Sequence, residues 1–330
     1  MGTLKFRFNL HLLLAVVVLL TLSGCDRRSK MYTSALISLG SQGSSGTSSL
    51  AISLAVIDDM KAALVKAEMT PAEAHIVASG ALQGLNNTSG QTFFGLVDPD
   101  FQPESAIPRL TGAAVQTLSD PRAGQVESEG KLKYSAVIAE GVVESLGSGV
   151  AASALTPEQK KALPGGITKS AVSNLDEAGL SGKDLSSGIG KVMKGAVAKL
   201  KGVGFATSDL KDVVSSMTKD TMEGMAEIGL SKSLVGDSME SLVKSTVGAL
   251  GEAGVTAADV GSFVGPIMSE AVGGLDELGL SGAGQMQTVV GNLVSSAMLA
   301  LEDVGVTDIN DVSVVLNSSM KGAMEGMGDA

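Results

Sequence analysis

One pattern recurs at fixed spacing through the second half of this chain: Leu-x-x-x-Gly, then an apolar residue, then in most copies Ser or Thr. The glycines are Gly179, Gly204, Gly229, Gly254, Gly279 and Gly305, at steps of 25, 25, 25, 25 and 26 residues. Four residues before each stands Leu175, Leu200, Met225, Leu250, Leu275 or Leu301. Just after each stands Leu180, Phe205, Leu230, Val255, Leu280 or Val306. Tandem repetition at this period restricts the fold to units that cannot bury their apolar face alone and must stack on their neighbours.

Within a unit the apolar residues fall in a helical stripe. Val260, Phe263, Val264, Ile267, Met268, Ala271, Val272 and Leu275 stay in phase on one face. Val235, Met239, Leu242, Val243, Val247 and Leu250 repeat the stripe one unit earlier. Helix starts are marked by Ser181 with Asp184, Thr256 with Asp259, and Thr156 with Gln159, each in the spacing of a capping box. The repeated glycine fits a residue of positive φ just past a helix end, and the apolar residue after it fits the contact of a Schellman turn. Pro164 with Gly165-Gly166, and Gly265-Pro266, fall mid-unit and predict kinks. The expectation is an all-α array of about 25-residue helical repeats, one helix per unit, solenoid-like or an extended bundle, with successive helices roughly antiparallel and the last unit truncated.

The rest of the chain divides around this array. Residues 1–24 have a basic start at Lys5 and Arg7, then an apolar run from about Phe8 to Leu22. At about 15 residues the run is shorter than the roughly 20 a membrane-spanning helix needs, and it reads as a signal peptide. It closes on Leu22-Ser23-Gly24-Cys25, which resembles the lipobox of bacterial lipoproteins. That resemblance implies lipidation of Cys25, the only cysteine of the chain, and anchoring to a membrane of the cell envelope. By the same resemblance Asp26 favours retention at the inner membrane. Residues 25–49 form a tether, with Ser38 to Ser49 rich in Gly and Ser. Residues 50–134 read as a diverged helical region. Thr70-Pro71-Ala72-Glu73 opens a helix there, and Leu64 and Met69 take the repeat's leucine and apolar places, but Glu68 stands where glycine is expected. An irregular insertion follows, with Phe93, Phe94, Phe101 and several prolines, and one helix is expected near Arg109–Leu118. Residues 135–330 are the tandem array.

Charge and composition narrow the chemistry. The whole chain carries a net charge of −11, and loss of the leader removes Lys5 and Arg7 but no acid, so the mature chain is more acidic still. That repels nucleic acid, and none is expected as a partner. The junctions also resemble the repeats of mitochondrial transcription termination factors, whose units are longer and whose surfaces are basic; nothing is carried over from them. His75 is the sole histidine outside the leader, which leaves no His-based triad, dyad or metal set, and no cofactor is expected. Eleven methionines lie in the array and are expected to fill its core.

Acids gather in the last helical turn, where the helix dipole disfavours them. Asp176, Glu177, Asp276, Glu277, Glu302, Asp303, Asp308 and Asp311 form a candidate acidic interaction edge, arranged as two ridges if the helices alternate in direction. The functional expectation is a lipid-anchored envelope protein, facing the periplasm or exterior, that acts as a non-catalytic scaffold for envelope protein partners. The alternative is a membrane-active or lipid-binding helical protein.

Overall fold

The computed structural model describes residues 45–87, 102–280 and 282–329. Among them there are twelve α-helices and no strand: α1 (Ser45–Lys66), α2 (Pro71–Asn87), α3 (Pro103–Gln116), α4 (Ser128–Ser145), α5 (Gly149–Ala154), α6 (Pro157–Ser173), α7 (Gly182–Val203), α8 (Thr207–Ile228), α9 (Lys232–Ala249), α10 (Val260–Gly273), α11 (Ala283–Leu299) and α12 (Ile309–Asp329). The protein is all-α.

The repeated motif forms the turns. All six of its glycines have positive φ, between 69° and 92°. At Gly179 the amide bonds back to Asp176 O at 2.8 Å, and the next amide, of Leu180, bonds to Leu175 O at 3.0 Å. Gly254 with Val255, Gly279 with Leu280, and Gly305 with Val306 repeat this pair of bonds. These are the two hydrogen bonds of a Schellman turn, which satisfy carbonyls a helix end would leave orphaned. The motif leucine supplies the accepting carbonyl, and its side chain is buried beneath the apolar residue that follows the glycine. Glu68 adopts the same conformation at φ 73°, the one non-glycine residue of positive φ among those described. Met69 bonds back to Leu64 O at 3.0 Å. The turn therefore forms there without its glycine.

The helices lie in two rows. From α6 onward each packs mainly against the helix two places along: α6 on α8, α8 on α10 and α10 on α12, with α7 on α9 and α9 on α11. The earlier helices extend the rows, with α2 on α3 and α3 on α6, and with α1 on α4 and α4 on α7. From α3 and α4 onward the helices of a row are parallel. Lys161 near the start of α6 meets Asp209 near the start of α8, and Lys169 further along α6 meets Glu223 further along α8. Helix α1 instead runs antiparallel to α4: Lys133 near the start of α4 meets Glu68 just past the end of α1, and Gly141 further along α4 lies against Met60 and Ala63. The structural unit is thus a pair of antiparallel helices spanning two sequence repeats. One continuous apolar core runs between the rows, from Ile52 in α1 to Ala323 in α12.

Glycine sets the spacing within a row. A Cβ on Gly224 of α8 would come within 2.6 Å of the Lys169 carbonyl oxygen of α6. One on Gly326 of α12 would fall 2.9 Å from the amide nitrogen of Gly273 in α10. Real Cβ atoms do not approach backbone so closely, so these helices lie nearer one another than side chains of any size permit.

Several expectations need correction. Helix α1 begins at Ser45, inside the stretch read as tether, and the Phe93, Phe94 and Phe101 cluster lies outside the described residues. The helix expected near Arg109–Leu118 is α3, which begins earlier, at Pro103, and α4 begins at Ser128. Pro103 opens α3, where a missing amide costs nothing, and Pro108 sits within it. Pro164 and Pro266 likewise lie inside continuous helices, so each array unit is one helix. The final unit forms a helix of 21 residues, α12. The capping boxes at Thr156 and Thr70 form. Those at Ser181 and Thr256 do not: Ser181 is followed by Gly182 at φ 55°, and the Thr256 hydroxyl bonds to the Asp259 carboxylate at 2.7 Å while the backbone starts as a 3₁₀ turn.

Candidate functional site

The acidic residues fall on two opposite edges. Asp176-Glu177 and Asp276-Glu277 lie in the turns that follow α6 and α10, which belong to the same row and point the same way. They therefore share one edge. Glu302-Asp303 follow α11 in the other row, and Asp308 with Asp311 open α12, which places these four on the opposite edge, about 25 Å away by the length of a 17-residue helix. The acids sit beyond the helix ends rather than in the last helical turn. Asp176 and Asp276 each accept a hydrogen bond from the following amide at 2.8 Å, an arrangement reproduced 100 residues apart. All are exposed except Asp311, which is half-buried, and none of the eight is in an ion pair.

Other acids face lysines across the rows. Lys169 of α6 reaches Glu223 and Glu227 of α8, both at 3.0 Å, and Lys199 of α7 reaches Glu140 at 2.9 Å and Glu144 at 3.3 Å on α4. Donation to the Glu223 carboxylate raises Lys169 above the ordinary lysine range, and donation to Glu140 does the same to Lys199. These pairs hold neighbours within a row, and the acid pairs in the turns are left facing solvent. Asp220 of α8 is the exception among the acids, because it sits over Gly165 of α6. Burial there, with the charge of Glu223 adding to it, pushes its carboxyl above the usual range.

An open groove of about 430 Å³ crosses α8, α10 and α12. Lys211, Ser215, Pro266, Glu270, Ser318 and Lys321 line it, and the Ser215 hydroxyl donates to Glu270 Oε1 at 3.2 Å. Its lining offers paired charges and hydroxyls to a polar ligand but contains no imidazole to activate a serine. His75 is exposed on α2, away from the array. Among the described residues no three His, Cys, Asp or Glu side chains gather as a metal site, and no helix is long and apolar enough to cross a membrane. Cys25 lies outside the described residues.

One surface was missed in the sequence. Core filling holds for Met193, Met217, Met222, Met225, Met239 and Met268, which are all buried, while Met298 is half-buried. Met320, Met324 and Met327 are exposed on α12 instead. The signal available was position, because these three belong to the last unit of the array.

No protein-family model matches the chain, and no curated protein is similar to it.

Proposed function

We propose that this is a lipid-anchored protein of the bacterial cell envelope whose helical array serves as a non-catalytic, solenoid-like scaffold for other envelope proteins. The observation that carries the reading is the recurrence of exposed, unpaired acid pairs in turns of the same conformation along one edge, at Asp176-Glu177 and Asp276-Glu277. Stacked repeats offer extended surfaces of this kind to protein partners. The lipobox at Leu22-Ser23-Gly24-Cys25 supports the anchor.

Two measurements test it. Cys25→Ala should move the protein out of the lipid-modified membrane fraction. In cells, cross-linking should capture defined envelope proteins with the wild type and far less with Asp176→Asn, Glu177→Gln, Asp276→Asn and Glu277→Gln combined. Release of dye from neutral vesicles by the protein, with unchanged capture by the charge-neutralised variant, would overturn the scaffold and favour direct action on lipid.

A further inference from the structure

The exposed side of α12 is an apolar ridge. Ile309, Leu316, Met320, Met324 and Met327 follow one another at steps of 7, 4, 4 and 3, which keeps them on one line of the helix. Their exposure ranges from 38% at Leu316 to 75% at Ile309. Ser318, Gly322 and Gly326 hold α12 against α10 from the other side, so the ridge faces away from the array.

Beside it, α11 carries no charged residue, and residues 278–301 contain none at all. Gly284, Thr288, Gly291 and Ser295 are exposed there, and Cβ atoms on the two glycines would meet nothing within 4 Å. The Thr288 and Ser295 hydroxyls donate to the Gly284 and Gly291 carbonyls of their own helix, each at 3.0 Å. Covering this surface therefore strands neither hydroxyl without a partner.

An uncharged helix beside an apolar ridge is the composition of a covered surface, not of a solvated one. The charge pattern indicates what covers it. In a chain of net charge −11, copies repel one another wherever acids face acids, and the face formed by α11 with the ridge of α12 removes that repulsion. A site for a foreign partner gains from complementary charge and has no reason to exclude it. The size agrees. Helices of 17 and 21 residues make a face about 25–30 Å long and about 20 Å wide. With side-chain relief that is about 800 Å² of accessible surface, the share each partner contributes to a standard interface.

We infer that the face formed by α11 and α12 is a homodimer interface, with a second copy of this chain as its occupant. The exposed methionines suit it, since flexible thioether side chains repack against their own copies across a two-fold axis.

Sedimentation of the purified full chain between about 1 and about 100 μM tests this. The expected species has twice the chain mass of 33.2 kDa. Met320→Lys with Met324→Lys on α12 and, separately, Gly291→Glu on α11 should each weaken association by at least about 100-fold while circular dichroism stays unchanged. Gly291 faces open space, so its variant tests the interface without disturbing the fold. A monomer throughout this range overturns the inference, as does a dimer that survives either variant. So does a monomer that binds phosphatidylcholine vesicles, or an amphipathic peptide of leucine and lysine, and loses that binding in the Met320→Lys, Met324→Lys variant.

Discussion

Gly229→Ala isolates the conformational role of the repeated glycine. Gly229 sits at φ 69°, ψ 49°, the centre of the left-handed region, and a Cβ placed on it meets no atom within 4 Å. Packing therefore contributes nothing, and the cost is that of the backbone alone. An L-residue loses about 1–2 kcal/mol in this conformation. Alanine recovers about 0.4–1 kcal/mol by restricting the unfolded chain. The net expectation is a loss of about 1 kcal/mol, or about 1–2 °C in Tm for a chain of this size. Two controls fix the interpretation. Gly236→Ala lies inside α9, where the nearest atom to the added methyl is Val289 Cγ2 at 3.9 Å, and should gain about 0.5–1 kcal/mol, because the same substitution now improves helix propensity. Glu68→Gly should raise Tm, since it relieves the one non-glycine residue held at positive φ and gives up only an exposed pair with Lys133. Thermal unfolding followed at 222 nm reads all three. A Gly229→Ala variant as stable as the wild type, or a Glu68→Gly variant less stable than it, would refute the assignment of these turns.

Gly224→Ala tests the other use of glycine. Its Cβ would press to 2.6 Å from the Lys169 carbonyl oxygen, which is fixed backbone. The expected loss is about 1–3 kcal/mol by the same assay, larger than at Gly229. Asp220→Asn should raise Tm at pH 7. The folded-state carboxyl of Asp220 titrates above its unfolded value because burial disfavours the charge. Its contribution to stability is therefore present at low pH and is lost as pH rises through the folded pKa, so the variant's advantage should shrink as pH falls from that raised pKa to the ordinary carboxylate range and be gone below it. An advantage that grows toward low pH would reverse the sign of this argument.

Much of this architecture was legible because the turn is written in residue types. Glycine at positive φ, a leucine four before it and an apolar residue after it are each required by the two hydrogen bonds of the turn, so the junctions and the helix count per unit follow from spacing. Even the odd member, Glu68, could be read from its flanking Leu64 and Met69. Pairing between helices could not. A stripe such as Val260 to Leu275 states that one face is buried but not which helix covers it. Parallel stacking at two repeats' distance emerges only from contacts such as Lys169 with Glu223. The capping boxes failed for a local reason. A threonine and an aspartate three apart can bond side chain to side chain, as Thr256 and Asp259 do, and the backbone amide is then left without the cap. The exposed ridge of α12 was illegible because its spacing is that of a core stripe.

The small residues explain how a 25-residue sequence period becomes a two-repeat structural one. Helices in a row approach through Gly224, Gly322 and Gly326, where no side chain separates backbones, while helices consecutive in sequence meet across the apolar core through larger residues such as Leu200, Met217 and Leu242. The two contacts ask for opposite things of one sequence unit, a flat small-residue side and a bulky side, and both are met because they fall on different faces of the same helix. On α12 the core-facing side, with Val315 and Ala323, is buried, and the exposed ridge lies on the side that faces along the row. Met320 and Met324 stand at the repeat positions of Ser269 and Gly273, which in α10 face the next helix of the row, while the position of the buried Met268 is taken in α12 by the buried Ser319. The uncharged α11 beside that ridge departs from its sibling helices in the direction of burial, which a second copy would complete.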